Sequence, residues 1–185
     1  MSIVVVGGPA KGAGKTALIE GIVAATPEAA WTAIKVSSHA HRGVSVFAES
    51  EPEAATDTGR YLRAGARRAL LVEAADSAEL DLLHEGIDAR GNLIIESNRL
   101  GFGVDPDLRL AVFAEHALQA KPSFAAFLAR ADALVVHAHT AVSAHAAPPG
   151  IPMFVLEDFR CISPQFAAWM HDRLSLQFRS GTARS

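Results

Sequence analysis

Ten residues near the N-terminus combine glycines, a lysine and a hydroxyl at a spacing suited to phosphate binding. Residues 7–16 read GGPAKGAGKT, with an apolar segment before them and a helical pattern after them. That context is typical of a P-loop, in which backbone amides and the start of a helix surround a phosphate group. Lys15 can reach the terminal phosphates of a nucleotide and act in catalysis, and the Thr16 hydroxyl can bind Mg²⁺. We therefore predict a site for GTP or ATP with Mg²⁺, formed by Lys11, Gly12, Ala13, Gly14, Lys15, Thr16 and Ala17.

The entry to this loop departs from the usual P-loop pattern. The spacing G-x-x-x-x-G-K-[ST] puts a glycine at position 9, where this chain has Pro9. Proline has no backbone N–H, so the first part of the loop must differ in detail, while the segment from Gly12 to Thr16 keeps the pattern. Lys11 lies one residue closer to Lys15 than a second, signature lysine would, and is interpreted as a flexible cation near the phosphates.

An acidic residue follows each of two apolar segments, Glu96 after residues 93–95 and Glu73 after residues 69–72. The carboxyl ends of buried parallel strands are where open α/β sheets bind ligands. In a P-loop protein, a carboxylate at that position can hold Mg²⁺ or orient an attacking water. We predict Glu96 as the catalytic and metal-binding carboxylate beside Thr16. Glu73 is the alternative, because its local pattern is the same.

A helical pattern over residues 54–66 has an aspartate near its start, followed by arginines at helical spacing, a stripe that Arg67 extends. The preceding segment, residues 37–52, is polar and long for a connection between a strand and a helix. The alternative interpretation is a solvated helix face beside a long loop. Because both segments adjoin the predicted phosphate site, candidate contacts for a substrate or partner are His39, His41, Asp57, Arg60 and Arg63.

Seven short apolar segments recur along the chain, at residues 3–6, 32–36, 69–72, 93–95, 108–113, 134–136 and 153–156. Their hydrophobicity is continuous, as in strands of a parallel sheet that is covered on both faces. Helical patterns lie between several of them, over residues 15–25, 54–66, 78–89, 123–130 and 164–176. This alternation predicts a three-layer α/β P-loop NTPase fold with a mainly parallel sheet. Around residues 93–113 two predicted strands follow each other without a helical pattern between them, so a local antiparallel excursion is predicted there.

Length and composition limit the class of protein. The 185 residues are 50% hydrophobic and 20% charged, which suits one domain, predicted over residues 1–178, followed by a frayed tail at 179–185. A net charge of −3 argues against a nucleic-acid partner. The single cysteine, Cys161, excludes an internal disulfide, and every apolar stretch is too short or too broken to span a membrane. We therefore expect a cytoplasmic protein.

Taken together, these segments resemble a known family. The P-loop, the Ala-Ile-Lys of residues 33–35, the histidine-containing loop and the helix that begins at Asp57 and ends in Ala-Gly-Ala are similar to those of MobB, the molybdopterin-guanine dinucleotide biosynthesis adaptor family. The strand that ends at Glu96 resembles the family's Val-Glu-Gly step, and the last two strands are also similar. The resemblance runs through most of residues 1–172. The chain departs from the family at Pro9, at Val36, where the family has histidine, and at residues 97–98, where a glycine is replaced.

The resemblance implies a GTP-binding protein of the SIMIBI class of P-loop proteins with weak GTPase activity. It also implies a homodimer that works beside a nucleotidyltransferase and handles a pterin-phosphate while GMP is attached to molybdopterin. Two other functions stay open, a P-loop small-molecule kinase and a nucleotide-dependent switch of another pathway. The sequence has no Asn-Lys-x-Asp guanine motif, so the resemblance alone favours GTP over ATP.

Overall fold

The computed structural model describes residues 1–37, 44–53, 55–74, 91–99, 105–114, 122–140 and 148–174. These residues form eight strands: β1 (Ile3–Gly7), β2 (Thr32–Ser37), β3 (Ser45–Glu49), β4 (Arg68–Glu73), β5 (Leu93–Glu96), β6 (Leu108–Phe113), β7 (Ala133–His137) and β8 (Met153–Leu156). The same residues form four α-helices: α1 (Lys15–Ala25), α2 (Asp57–Arg63), α3 (Pro122–Leu128) and α4 (Pro164–Leu174). A short 3₁₀ turn, Pro27–Ala29, follows α1.

The strands form one sheet in the order β3-β4-β2-β5-β1-β6-β7-β8. Every neighbouring pair is parallel except β3 and β4, which are antiparallel. β1 lies between β5 and β6, with Val5 opposite Ile95 on one side and Arg109 on the other. The parallel strands therefore end at one edge of the sheet, and the P-loop leaves the middle of that edge.

Helices cover both faces of the sheet. On one face, α1, α2 and α4 pack Leu18, Tyr61 and Phe166 against inward-facing residues such as Val4. On the other face, α3 packs its phenylalanines against the alternate residues of the same strands, including Val5. Burial on both faces explains why the central strands lack polar alternation. This three-layer α/β architecture with a mainly parallel sheet confirms the predicted fold.

Several predicted elements are confirmed with small shifts at their ends. All seven predicted strands are present, and α1 has the predicted bounds. The helix predicted over residues 54–66 is shorter, because the Thr56 hydroxyl accepts a hydrogen bond from the Gly59 amide and starts α2 at Asp57. The helix predicted over residues 78–89 and the tail at 179–185 lie outside the described residues.

Two predictions about the sheet are wrong. The antiparallel excursion does not lie within residues 93–113, since β5 and β6 flank β1 on opposite sides and both run parallel to it. The antiparallel pair is β3 with β4, and β3 lies inside residues 37–52, which the sequence predicted as a loop. β3 pairs with β4 alone, at the end of the sheet order, and leaves Val46 and Phe47 exposed. An edge strand of this kind needs no buried face, so its sequence lacks the continuous apolar run by which the other strands were predicted.

Within the described ranges, no helix is long and apolar enough to cross a membrane.

Candidate functional site

The P-loop takes a backbone conformation that its glycines allow. Gly12 and Gly14 have φ values of +83° and +96°, in the left-handed region that other residues rarely adopt. A Cβ atom on Gly14 would also lie 2.1 Å from the ring of Phe159, so no side chain fits there. Gly14 precedes the first turn of α1 and gives its amides no side-chain cap. The start of α1 therefore offers backbone N–H groups to an anion.

The entry to the loop is held by Asn98, which is not among the predicted site residues. The Asn98 side chain accepts a hydrogen bond from the Gly8 amide and donates one to the Gly8 carbonyl, both at 2.7 Å. Pro9 follows directly and has no N–H. Asn98 thus ties the end of β5 to the P-loop at the place where the chain departs from the usual pattern. In the sequence, only the position of Asn98, two residues after Glu96 at the end of a predicted strand, could have pointed to this contact.

Glu96 lies at the centre of the site. Its side chain is only 3% exposed, at the carboxyl end of β5. The Thr16 hydroxyl donates to its Oε2 at 2.8 Å, and the Lys15 ammonium lies 3.8 Å from its Oε1. Lys15 also donates to the Ala10 carbonyl of the P-loop at 3.0 Å. Three predicted residues from two separate elements, Lys15, Thr16 and Glu96, are thus brought together.

Glu73, the alternative carboxylate, is not brought to this place. It ends β4, where it pairs with Ser37 of β2 and Ser45 of β3. β2 separates β4 from β5, and β5 is the strand next to β1. Strand order, which the sequence does not state, therefore distinguishes Glu96 from Glu73.

Two further residues complete the polar cluster around Glu96. Lys35, at the end of β2, forms an ion pair with Glu96 Oε1 and another with Asp57 Oδ2 at 3.1 Å. Asp57 Oδ1 lies 3.3 Å from the Thr16 hydroxyl, so Asp57 joins the same cluster from the start of α2. The Tyr61 hydroxyl, one turn later, donates to Glu96 Oε2 at 2.5 Å. Tyr61 and Lys35 were not among the predicted site residues, because an aromatic in a helix and a lysine in a strand carry no motif.

Burial and charge shift two pKa values in this cluster. Burial is the largest single influence on Lys35 and lowers its pKa, but the carboxylates of Glu96 and Asp57 outweigh it, so the pKa of Lys35 is raised. Burial first, and then the negative charge of Glu96, raise the pKa of Tyr61 well above its ordinary value. Lys35 therefore stays cationic, and Tyr61 stays a protonated hydrogen-bond donor, at neutral pH.

The arginines of α2 do not act as one stripe. Arg60 points to α1, where its Nε and a terminal nitrogen donate to the two oxygens of Glu20 at 2.8 and 2.7 Å. Arg63 is exposed and donates to the Pro52 carbonyl. Arg67, beyond the end of α2, is also exposed. His39 and His41 lie outside the described residues.

A cleft of about 720 Å³ opens at this edge of the sheet. Five basic side chains line it, from Lys11, Lys15, Lys35, Arg60 and Arg99, against two carboxylates, from Asp57 and Glu96. This surplus of positive charge suits a polyanion such as a nucleoside triphosphate.

In the part of the chain that the structure describes, no group of three or more His, Cys, Asp or Glu side chains could hold a metal. A cation here would need the Thr16 hydroxyl, the two carboxylates and oxygens from a ligand.

The sequence matches no protein-family model and no curated protein. Two solved structures share its fold. LpxK from Aquifex aeolicus, in complex with ATP, is 17% identical with a TM-score of 0.51 and covers 84% of this chain and 53% of its own. HypB from Helicobacter pylori, in complex with nickel, is 16% identical with a TM-score of 0.51, and the match covers 82% of this chain and 77% of HypB. This chain thus spans about half the length of LpxK. The likeness establishes the P-loop NTPase fold.

The raised pKa of Tyr61 gives a prediction that absorbance can test, because Tyr61 is the only tyrosine in the chain. In the folded, metal-free protein, the phenolate band should not rise near pH 10, where an ordinary tyrosine ionises. Glu96→Gln removes a negative charge and should lower the pKa, though burial keeps it above the ordinary value. Because the unfolded chain ionises first, stability should fall as the pH rises above about 10.

Tyr61→Phe is the control, since it abolishes the titrating band. A phenolate band that rises at an ordinary tyrosine pKa while the circular dichroism stays native would contradict the placement of Tyr61 against Glu96.

Proposed function

We propose that this chain binds a nucleoside triphosphate with Mg²⁺ at the P-loop edge of its sheet. One observation carries the proposal: Lys15 and Thr16, at the start of α1, meet the buried Glu96 at the end of β5. These are the groups that P-loop proteins use for the phosphates and the metal, in the order that the motif predicts. The basic lining of the cleft supports the same conclusion, since it exceeds what the two carboxylates neutralise.

The residues present fit a magnesium ion. Mg²⁺ prefers six oxygen ligands at about 2.0–2.1 Å, which places neighbouring ligand oxygens about 2.9 Å apart. The Thr16 hydroxyl lies 2.8 Å from Glu96 and 3.3 Å from Asp57, close to that spacing. A cation already occupies the neighbourhood, because the Lys35 ammonium contacts both carboxylates. We assign Thr16 and Glu96 as the predicted metal-binding pair and add Asp57, each acting directly or through water.

Each group of the chain would then have its own role in binding the nucleotide and the metal. Bound Mg²⁺ supplies positive charge against the phosphates. The amides from Gly12 to Thr16 bind phosphate oxygens, and Lys15 exchanges its contact with the Ala10 carbonyl for a terminal phosphate. Glu96 holds the Thr16 hydroxyl by accepting its hydrogen, which turns the oxygen lone pairs toward the cation. Asn98 fixes the loop entry through Gly8.

The finer proposal follows the family resemblance: a GTP-binding adaptor for molybdopterin guanine dinucleotide formation, with a nucleotidyltransferase partner, a pterin-phosphate ligand and a homodimeric state. What supports it is the resemblance through residues 1–172 and the placement of Asp57 and Arg60 on the cleft. LpxK carries ATP on a shared fold, so a small-molecule kinase that uses ATP is the second candidate. Neither the pathway nor the base follows from the cleft residues, so the first experiment compares both nucleotides.

Lys15→Ala is expected to weaken triphosphate binding about tenfold or more, on the order of 1.4 kcal/mol, because Lys15 is the P-loop cation nearest to Glu96. Thr16→Ala should weaken the Mg²⁺-dependent part of binding and leave the metal-independent part. Isothermal titration calorimetry with GTP and with ATP measures both effects and chooses between the two bases. If Lys15→Ala binds both nucleotides as tightly as the wild type, the proposed site is wrong.

Hydrolysis without a partner should be slow, below about 1 s⁻¹. An arginine that reaches the transferred phosphate can raise the rate roughly 10³–10⁵-fold. Arg60 does not serve this way in the observed structure, because two hydrogen bonds join it to Glu20. Glu96→Gln should reduce the residual rate while nucleotide still binds. Glu73→Gln makes the same chemical change at a strand end away from Glu96 and should leave the rate unchanged. Phosphate release measures the hydrolysis rate of the wild type and of both variants. A loss of rate in Glu73→Gln but not in Glu96→Gln would assign the catalytic carboxylate to Glu73.

A partner surface at the C-terminal end of α2 is tested by reversing the charges of two exposed arginines, one in the helix and one beyond its end. Arg63→Glu with Arg67→Glu should abolish copurification with the nucleotidyltransferase and spare nucleotide affinity, because both side chains lie on the surface. Arg60 is left intact, since its reversal would break the pair with Glu20. Arg130→Glu, exposed beyond α3 on the other face of the sheet, is the matched control. Equal partner recovery from all forms would remove this surface from the proposal.

A further inference from the structure

One cation of the site has no role in the function proposed so far. Lys35 comes from β2, not from the P-loop, yet its ammonium lies between Glu96 and Asp57. These are the two carboxylates that the proposed function assigns to Mg²⁺. We propose that Lys35 is a stand-in for the metal, which holds the carboxylates in the nucleotide-free protein and makes Mg²⁺ binding conditional on the nucleotide. This inference rests on the proposed function and names a further residue for it.

The geometry places Lys35 and the metal in competition. Glu96 Oε1 accepts from Lys35, and its other oxygen accepts from Thr16 and Tyr61. Asp57 Oδ2 lies 3.1 Å from the Lys35 ammonium, and Asp57 Oδ1 faces Thr16. The metal fits beside Thr16, at the other oxygen of each carboxylate, so Lys35 and a divalent ion would share the same two carboxylates. Lys35 therefore already neutralises part of the negative charge that Mg²⁺ would need.

Charge explains why Mg²⁺ alone would bind weakly. Without nucleotide, a metal that enters must share two carboxylates with an ammonium or displace it, and the two cations would repel each other. Glu96 is almost fully buried, so this repulsion is screened less than it would be at the surface.

A triphosphate changes this balance. It brings several negative oxygens to the cleft that Lys35 lines, and these can receive its ammonium when Mg²⁺ takes the carboxylates. Lys35 is 24% exposed toward that cleft, so its flexible stem has room to move. The nucleotide and the metal thus bind together, while the metal alone binds only weakly.

A purely structural ion pair is the alternative, in which Lys35 joins β2, β5 and α2 and plays no part in metal binding. The two cases differ in the affinity for Mg²⁺ alone. If Lys35 competes with the metal, Lys35→Met and the milder Lys35→Gln should bind free Mg²⁺ about tenfold or more tightly than the wild type. Lys35→Arg keeps the charge and should bind free Mg²⁺ as weakly as the wild type. Calorimetry without nucleotide measures these affinities, and circular dichroism confirms that each variant is folded.

Lys11→Met is the matched control for the loss of one positive charge. Lys11 lines the same cleft, and among the described contacts it forms no ion pair with Glu96 or Asp57. Its removal should change the affinity for free Mg²⁺ by less than about threefold, as expected for screened charges. Equal gains in Lys11→Met and Lys35→Met would overturn the proposal, and so would folded Lys35 variants that bind free Mg²⁺ as the wild type does.

The wild-type protein gives a second measurement that does not depend on a variant that folds. Rising Mg²⁺ without nucleotide should displace Lys35 and raise its rate of acetylation, read by mass spectrometry with Lys11 as the internal reference. An acetylation rate of Lys35 that stays constant while calorimetry shows the site saturating with Mg²⁺ would refute the competition. Failure of the proposed function is distinguishable, because wild-type protein would then bind no Mg²⁺-nucleotide at all.

Discussion

The placement of one carboxylate, Glu96, organises the ligand-binding edge of this protein. A carboxylate that is only 3% exposed at the end of a central strand has lost most of its contact with water, so the protein must supply its partners. Those partners come from three elements: the start of α1, which supplies Lys15 and Thr16, then β2 and α2. Satisfying one charge therefore fixes the relative positions of the elements that surround the cleft. The same interaction holds the site together and gives it its chemistry.

The comparisons separate what the fold decides from what the side chains decide. LpxK in complex with ATP and HypB in complex with nickel share this fold at 16–17% identity, so the fold alone does not select a ligand. The particular features of this chain lie at the loop entry and around Glu96. Pro9 removes one amide from the loop entry, and Asn98 holds the adjoining Gly8 by both its N–H and its carbonyl. This compensation is local, which explains how the segment from Gly12 to Thr16 keeps the usual motif beside an unusual entry.

Much of the fold and part of the site could be predicted from the sequence, and the misses have physical causes. The central strands, buried on both faces, and the P-loop carry strong local signals, because two-sided burial and tight turns restrict residue type. β3 gave no such signal, since it is paired on one side and half exposed. Choosing Glu96 over Glu73 required the strand order, and finding Lys35 and Tyr61 required contacts between residues far apart in the chain. Local patterns thus predict elements and motifs, whereas partners across the sheet emerge only in three dimensions.

The central position of β1 has a consequence for how the chain reaches its native state during synthesis. β1 leaves the ribosome before its two neighbours in the sheet, which begin only at Leu93 and Leu108. Contacts across such long separations form slowly, because the chain loses the entropy of closing a large loop before the contacts stabilise it. A nascent chain therefore carries an apolar strand with two unpaired edges until β5 and β6 have been made, a species prone to aggregation. Nothing that binds at the completed sheet edge can protect that intermediate, so its survival depends on the speed of synthesis and on chaperones.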